Sequence, residues 1–135
     1  MKKTGIWLDK DKAIIVTIEH ENESLEQVPS NIEHFHIHGG SGTRFKGGPQ
    51  DVVQDKKYLE REKNQIKAYF KTIVSKVNDT DALVIFGPAE MNEKLNKELK
   101  DNFKDLGAKV KDVKKVDSMT DNQIKAWVRD FFRSA

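Results

Sequence analysis

Cysteine is absent from this 135-residue chain, which removes disulfides, zinc-thiolate centres and thiol nucleophiles together. Proline occurs three times, so Pro29, Pro49 and Pro88 each mark a place where the chain is turned or interrupted. No apolar run is long enough to span a membrane. The N-terminal residues reach Asp9 before any stretch that would serve as a signal peptide, so the cytoplasm is the expected location. Neither sign of charge dominates: 24 Lys and Arg stand against 22 Asp and Glu. What remains is a chain 36% apolar and 34% charged, which describes one well-solvated α/β domain over residues 1–135.

The near-neutral total conceals an asymmetry. Residues 1–38 carry four Lys/Arg against seven Asp/Glu, residues 39–76 nine against four, and residues 77–135 eleven of each. The positive excess therefore lies in the middle of the chain. It includes the stretch from Gly39 to Gln50, which holds Gly39, Gly40, Gly42, Gly47 and Gly48, Arg44 and Lys46, and no acidic residue. Such a segment buries too little apolar surface to repay its ordering entropy, so an exposed, mobile loop is expected. A basic loop followed by a basic helix favours a polyanionic partner at that one place. The competing reading is a solvated helix face with an ordinary lysine bias.

The hydrophobic pattern supplies the frame. Ile6 to Leu8 and Ala13 to Ile18 read as strands joined by a turn at Asp9-Lys10-Asp11. A third strand is expected from about Leu25 to His38, and Pro29 within it demands an edge position or a bulge. After the loop the period becomes helical through Leu59, Ile66, Tyr69, Phe70, Ile73, Val74 and Val77, with the apolar density after Gln65. The poorly apolar start of this helix is expected to project beyond the core. Ala82 to Phe86 is an uninterrupted apolar run, the mark of a strand covered on both faces. Gly87-Pro88 ends it, with Pro88 suited to the first turn of a helix. That helix carries Met91, Leu95, Leu99 and Phe103 and stops at Gly107. An edge strand over Ala108 to Val116 follows. The last helix opens with a capping box, Thr120 and Gln123, and Met119 is placed to staple onto Ile124. The order βββαβαβα predicts a mixed five-stranded sheet flanked by helices, the α/β arrangement of ribonuclease H-like folds.

This order, with Glu60-Arg61-Glu62, Ala68-Tyr69-Phe70 and Asp81-Ala82-Leu83-Val84-Ile85-Phe86-Gly87-Pro88 in succession, resembles the middle domain of archaeal and eukaryotic-type peptide-chain release factors and of their relative Pelota. The stand-alone bacterial host-attachment proteins look like a related use of the same domain. The resemblance implies a component of translation that works with the ribosome, its RNA or tRNA, without a cofactor. In those release factors a Gly-Gly-Gln loop enters the peptidyl transferase centre and helps position water. Here Gly47 and Gly48 are followed by Pro49 and then Gln50, so the spacing departs by one residue and proline removes a backbone donor. Binding, rather than hydrolysis, is what the resemblance carries over: a non-enzymatic ribosome- or RNA-associated factor.

The residues expected to touch RNA are Arg44, Lys46, Lys56, Lys57, Arg61 and Lys63 along phosphates, with Phe45 available to stack on an unpaired base and Gly47, Gly48 and Gln50 shaping the loop tip. The alternative for Phe45 is a residue tucked onto the sheet. No recognition helix or dimer signature points to duplex DNA. Two competing chemistries stay open. A metal-dependent, nuclease-like hydrolase would place a divalent ion at Asp9, near the end of the first strand, although Asp9 and Asp11 also suit a turn. Strand alternation would set His34, His36 and His38 on one face, where His-X-His is a zinc, copper or nickel pattern; a solvent-facing row is the plainer reading. A module that docks an acidic protein is the third class.

Overall fold

The structure is a computed structural model that describes residues 1–32, 49–88 and 90–134. Strand β1 (Lys2–Leu8) pairs antiparallel with β2 (Lys12–Glu19), in a register running from Lys2 opposite Glu19 to Leu8 opposite Ala13. The turn between them is built by Asp9, whose Oδ1 accepts the backbone N–H groups of Asp11 at 2.8 Å and Lys12 at 2.9 Å. Aspartate does this well because its short side chain reaches the backbone two or three residues on. Strand β3 (Asn22–Pro29) pairs antiparallel with β2 and, among the described residues, stands at one edge of the sheet, where Pro29 is tolerated.

The third strand is shorter than expected. It ends at Pro29 instead of running to His38. Proline has no ladder donor to continue the pairing, and Asn31 two residues on adopts φ 54°, a left-handed conformation that Asn tolerates better than most residues. Residues 33–48 lie outside the described residues, and with them the strand alternation expected for His34, His36 and His38.

Helix α1 (Pro49–Val77) returns the chain to β4 (Ala82–Gly87), which lies parallel to β1 and is buried along its whole length. Pro88 precedes the next helix rather than sitting in its first turn, because α2 spans Glu90–Asn102. The expected continuous helix to Gly107 is broken at Phe103, whose φ −137° and ψ 62° are not helical; α3 (Lys104–Gly107) is a single separate turn. Strand β5 (Val110–Lys115) runs parallel to β4 with a register shift at Leu83 and Val84, and forms the other edge. Helix α4 (Asp121–Ser134) starts with the expected box: the Thr120 N–H donates to Gln123 Oε1 at 2.9 Å, and the Gln123 N–H donates to Thr120 Oγ1 at 3.2 Å.

The strand order is β3-β2-β1-β4-β5. Alternation divides the side chains of the central strands between two cores. Ile6, Leu8, Ala13, Ile15, Leu83 and Ile85 pack against α1 and α2. Trp7, Ile14, Val16, Ala82, Val84 and Phe86 pack against Ile124, Val128 and Phe132 of α4. The result is a mixed five-stranded sheet between helices, the ribonuclease H-like α/β architecture that the element order implied.

Candidate nucleic-acid interface

Helix α1 is too long for the layer it covers. Its 29 residues extend about 43 Å, whereas strands of six to eight residues extend roughly 20–27 Å. Its buried side chains among the described residues are Tyr69, Phe70, Ile73, Val74 and Val77, all in the C-terminal part, and Ile66 packs at the border of the core. Before that border Glu60, Arg61, Lys63 and Asn64 are exposed. The burial of residues 49–59, on which the expected projection of the helix start rests, lies outside what is described.

Of the residues assigned to RNA, Arg61 and Lys63 are placed on this exposed stretch. Gln50, Lys56 and Lys57 belong to the backbone of α1, with side chains outside what is described. Pro49 and Gln50, expected in the loop, belong to α1 instead, with Pro49 at its first position, where a missing N–H costs nothing. Arg44, Phe45, Lys46, Gly47 and Gly48 lie outside the described residues, as do His34, His36 and His38.

The chain leaves β3 through a clamp that pattern reading missed. Ser30 is 6% exposed. Its Oγ donates to the Lys10 carbonyl at 2.6 Å and accepts the Ile32 N–H at 3.2 Å, while its own N–H donates to the Asp11 carbonyl at 2.8 Å. The β1–β2 turn therefore holds the root of the segment that follows. Tyr69 ties the same turn to α1, its hydroxyl donating to the Asp9 carbonyl at 3.2 Å. The only signal in the sequence was Pro-Ser-Asn at 29–31, a run of turn formers inside what read as a strand.

Burial drives the Tyr69 phenol well above its ordinary value of 10.0, and the nearby Asp9 and Asp11 carboxylates push it the same way. The folded state therefore holds the neutral phenol, and its preference is intact below pH 10. Above pH 10 the unfolded chain ionises first and gains, so stability falls as pH rises. Tyr69→Phe is expected to flatten that alkaline decline while costing about 1 kcal/mol near neutrality from the lost hydrogen bond. Urea unfolding of both proteins between pH 8 and pH 11 measures it.

The C-terminal ends of β1 and β4 open onto a cavity of about 340 Å³ lined by Asp9, Asp11 and Glu90 with Lys10, Pro88 and Met91. This is where the hydrolase reading would put its ion. Asp9 already accepts two backbone N–H groups through one oxygen. Among the described residues, no group of three or more His, Asp or Glu side chains is arranged to hold a metal ion. No helix among them is long and apolar enough to cross a membrane.

No protein-family model matches the chain, and no curated protein matches its sequence. Solved structures do. Pelota from Archaeoglobus fulgidus superposes with a TM-score of 0.55 at 10% identity, over 98% of this chain and 36% of that one. An archaeal translation termination factor, aRF1, gives a TM-score of 0.48 at 8% identity, over 98% of this chain and 39% of its own. The chain thus spans little more than a third of the proteins it resembles. The fold is similar to that of part of Pelota, the release-factor-middle-domain-like arrangement that the order of elements implied.

Proposed function

We propose that the protein is a non-enzymatic, translation-related factor of the cytoplasm. It associates with the ribosome, through ribosomal RNA or tRNA, by the Gly-rich basic segment 39–50 and the start of α1. The observation that carries this reading is the acid-free stretch 39–48, with Arg44 and Lys46, running into a helix on which Arg61 and Lys63 are exposed ahead of the core border. Cations held clear of a scaffold can follow a phosphate backbone without strain on the fold. The Pelota-like architecture supports a role in translation. Peptidyl-ester hydrolysis is not part of the proposal, because Pro49 stands where a Gly-Gly-Gln loop would present its glutamine.

Co-sedimentation with ribosomes at moderate salt tests it. Replacing Arg44, Lys46 and Lys56 by Glu is expected to weaken association at least tenfold and to flatten the log–log salt slope by about 2, near 0.7 per lost phosphate contact on single-stranded RNA. Absence of association, or association indifferent to the three replacements, refutes it.

A further inference from the structure

The flank of α1 that faces α2 forms a trench. Its larger part, about 330 Å³, has Ile66 and Phe70 as its apolar floor and Lys63, Lys67, Lys94 and Lys97 around it. A smaller cavity of about 120 Å³ continues it past Ile32 and Met91, sharing Glu62, Ile66 and Lys94. Phe70 is 3% exposed, so the floor is firmly set in the core. Lys63 and Lys67 stand one turn apart on α1, and Lys94 and Lys97 one turn apart on α2. Lys63, Lys67 and Lys97 make no ion pair among the described residues, and Lys94 has only an exposed partner, Glu90, at 3.9 Å. Such a pair contributes little.

The acidic residues decide what fits. Glu62 and Glu90 lie toward one end of the trench, and Glu98 and Asp101 line the other. Both helices run in the same direction, since each returns the chain to a strand parallel to β1. The lysines therefore form a cationic centre between two acidic ends. A continuous polyphosphate laid along the trench would cross like charge at each end. A peptide with an apolar anchor over Ile66, at the edge of the buried Phe70 ring, can place its carboxylates beside the lysines and keep them clear of both acidic ends.

We propose that the α1/α2 trench docks an acidic, apolar-anchored peptide segment of a partner protein, in the manner of an amphipathic segment laid in a helical groove. This surface shares Lys63 with the stretch assigned to RNA, whereas Lys67, Lys94 and Lys97 lie outside it, so their replacement separates the two.

Peptide display against the full chain, with random peptides of about 12 residues, a length that spans some three helical turns, is the test. Enriched peptides should pair a Leu, Ile, Met or Phe anchor with Asp or Glu, and should shift the NMR resonances of Ile66, Phe70 and Lys94. Lys67→Glu with Lys97→Glu should weaken a selected peptide about tenfold or more, and added salt should weaken it further. Both side chains are exposed, so the unfolding midpoint should not change. No enrichment, no acidic bias, indifference to the two reversals, or displacement of the peptide by an oligouridylate probe overturns the proposal.

Discussion

Gly87→Ala is expected to destabilise the protein by about 3 kcal/mol or more, a large share of the 5–15 kcal/mol typical of a domain. Gly87 closes β4 with φ +146°, a region essentially reserved to glycine. A β-carbon there would lie 2.4 Å from the Leu8 carbonyl oxygen and 3.2 Å from the Leu8 nitrogen. Both are backbone atoms of the central strand, so no side-chain rotation relieves the contact. The same β-carbon would stand 2.9 Å from Asn92 Oδ1. Asn92 is 2% exposed, and its Nδ2 donates to the Gly87 carbonyl at 2.9 Å and to the Lys114 carbonyl at 3.2 Å, joining β4, α2 and β5. The Gly87 carbonyl also accepts the Val116 N–H at 2.8 Å. One methyl therefore strains a conformation, a strand and a junction together. Urea unfolding should show a lower midpoint with an unchanged slope. A loss below about 1 kcal/mol would mean that the φ and the close approach are not features of the folded state.

Gly87-Pro88 also shows what pattern reading catches. A covered strand has a continuous apolar run, and Gly-Pro ends it, so β4 was legible residue by residue. The capping box of α4 was legible for a similar reason: both partners lie within four residues of each other, and local hydrogen bonds leave local signatures. Strand β3 ends at Pro29 and Asn31 turns left-handed beyond it, although the alternation in the sequence runs on through residues 33–38, which lie outside those described. Periodicity counts side chains and takes no account of a backbone that has turned. Phe103 misled in the same way. It keeps the four-residue step of Met91, Leu95 and Leu99, yet stands at a helix break and packs at the border of the core.

The candidate interface was legible only as composition. Charge excess in residues 39–76 needs no contacts to be seen, whereas the Ser30 clamp and the α1/α2 trench depend on residues far apart in the chain. Ser30 Oγ meets Lys10, twenty residues away, and Tyr69 meets Asp9 across sixty. The trench required knowing that α1 and α2 lie on one face of the sheet, which follows from topology and not from either helix alone.

Gly5→Ala should cost about 1–3 kcal/mol, and Val128→Ala should remove most of that penalty. Gly5 sits mid-strand in β1, between Val16 and Val84, and faces α4. An added β-carbon would lie 2.4 Å from Val128 Cγ2, 3.0 Å from Cγ1 and 3.2 Å from Cβ. Val128 is fully buried, and a helical valine is held to essentially one χ1 rotamer, so it cannot swing aside. Helix α4 must move outward instead. That movement would strain the stack of Trp127 on Phe86, whose ring centroids are 4.0 Å apart. Glycine within a strand ordinarily sacrifices roughly 0.5–1 kcal/mol relative to alanine, so a net loss on Gly5→Ala would isolate the packing clash. Val128→Ala alone should cost about 2 kcal/mol for two deleted methyl groups and the space they leave. In the double variant the new methyl enters that space, and only the 3.2 Å contact with Cβ remains. The double variant should therefore be about as stable as Val128→Ala alone, with a coupling energy close to the full Gly5→Ala cost of about 1–3 kcal/mol in the thermodynamic cycle. Additivity within about 0.5 kcal/mol would show that α4 does not press on β1 at Gly5, and the close seating of the last helix on the sheet would have to be abandoned.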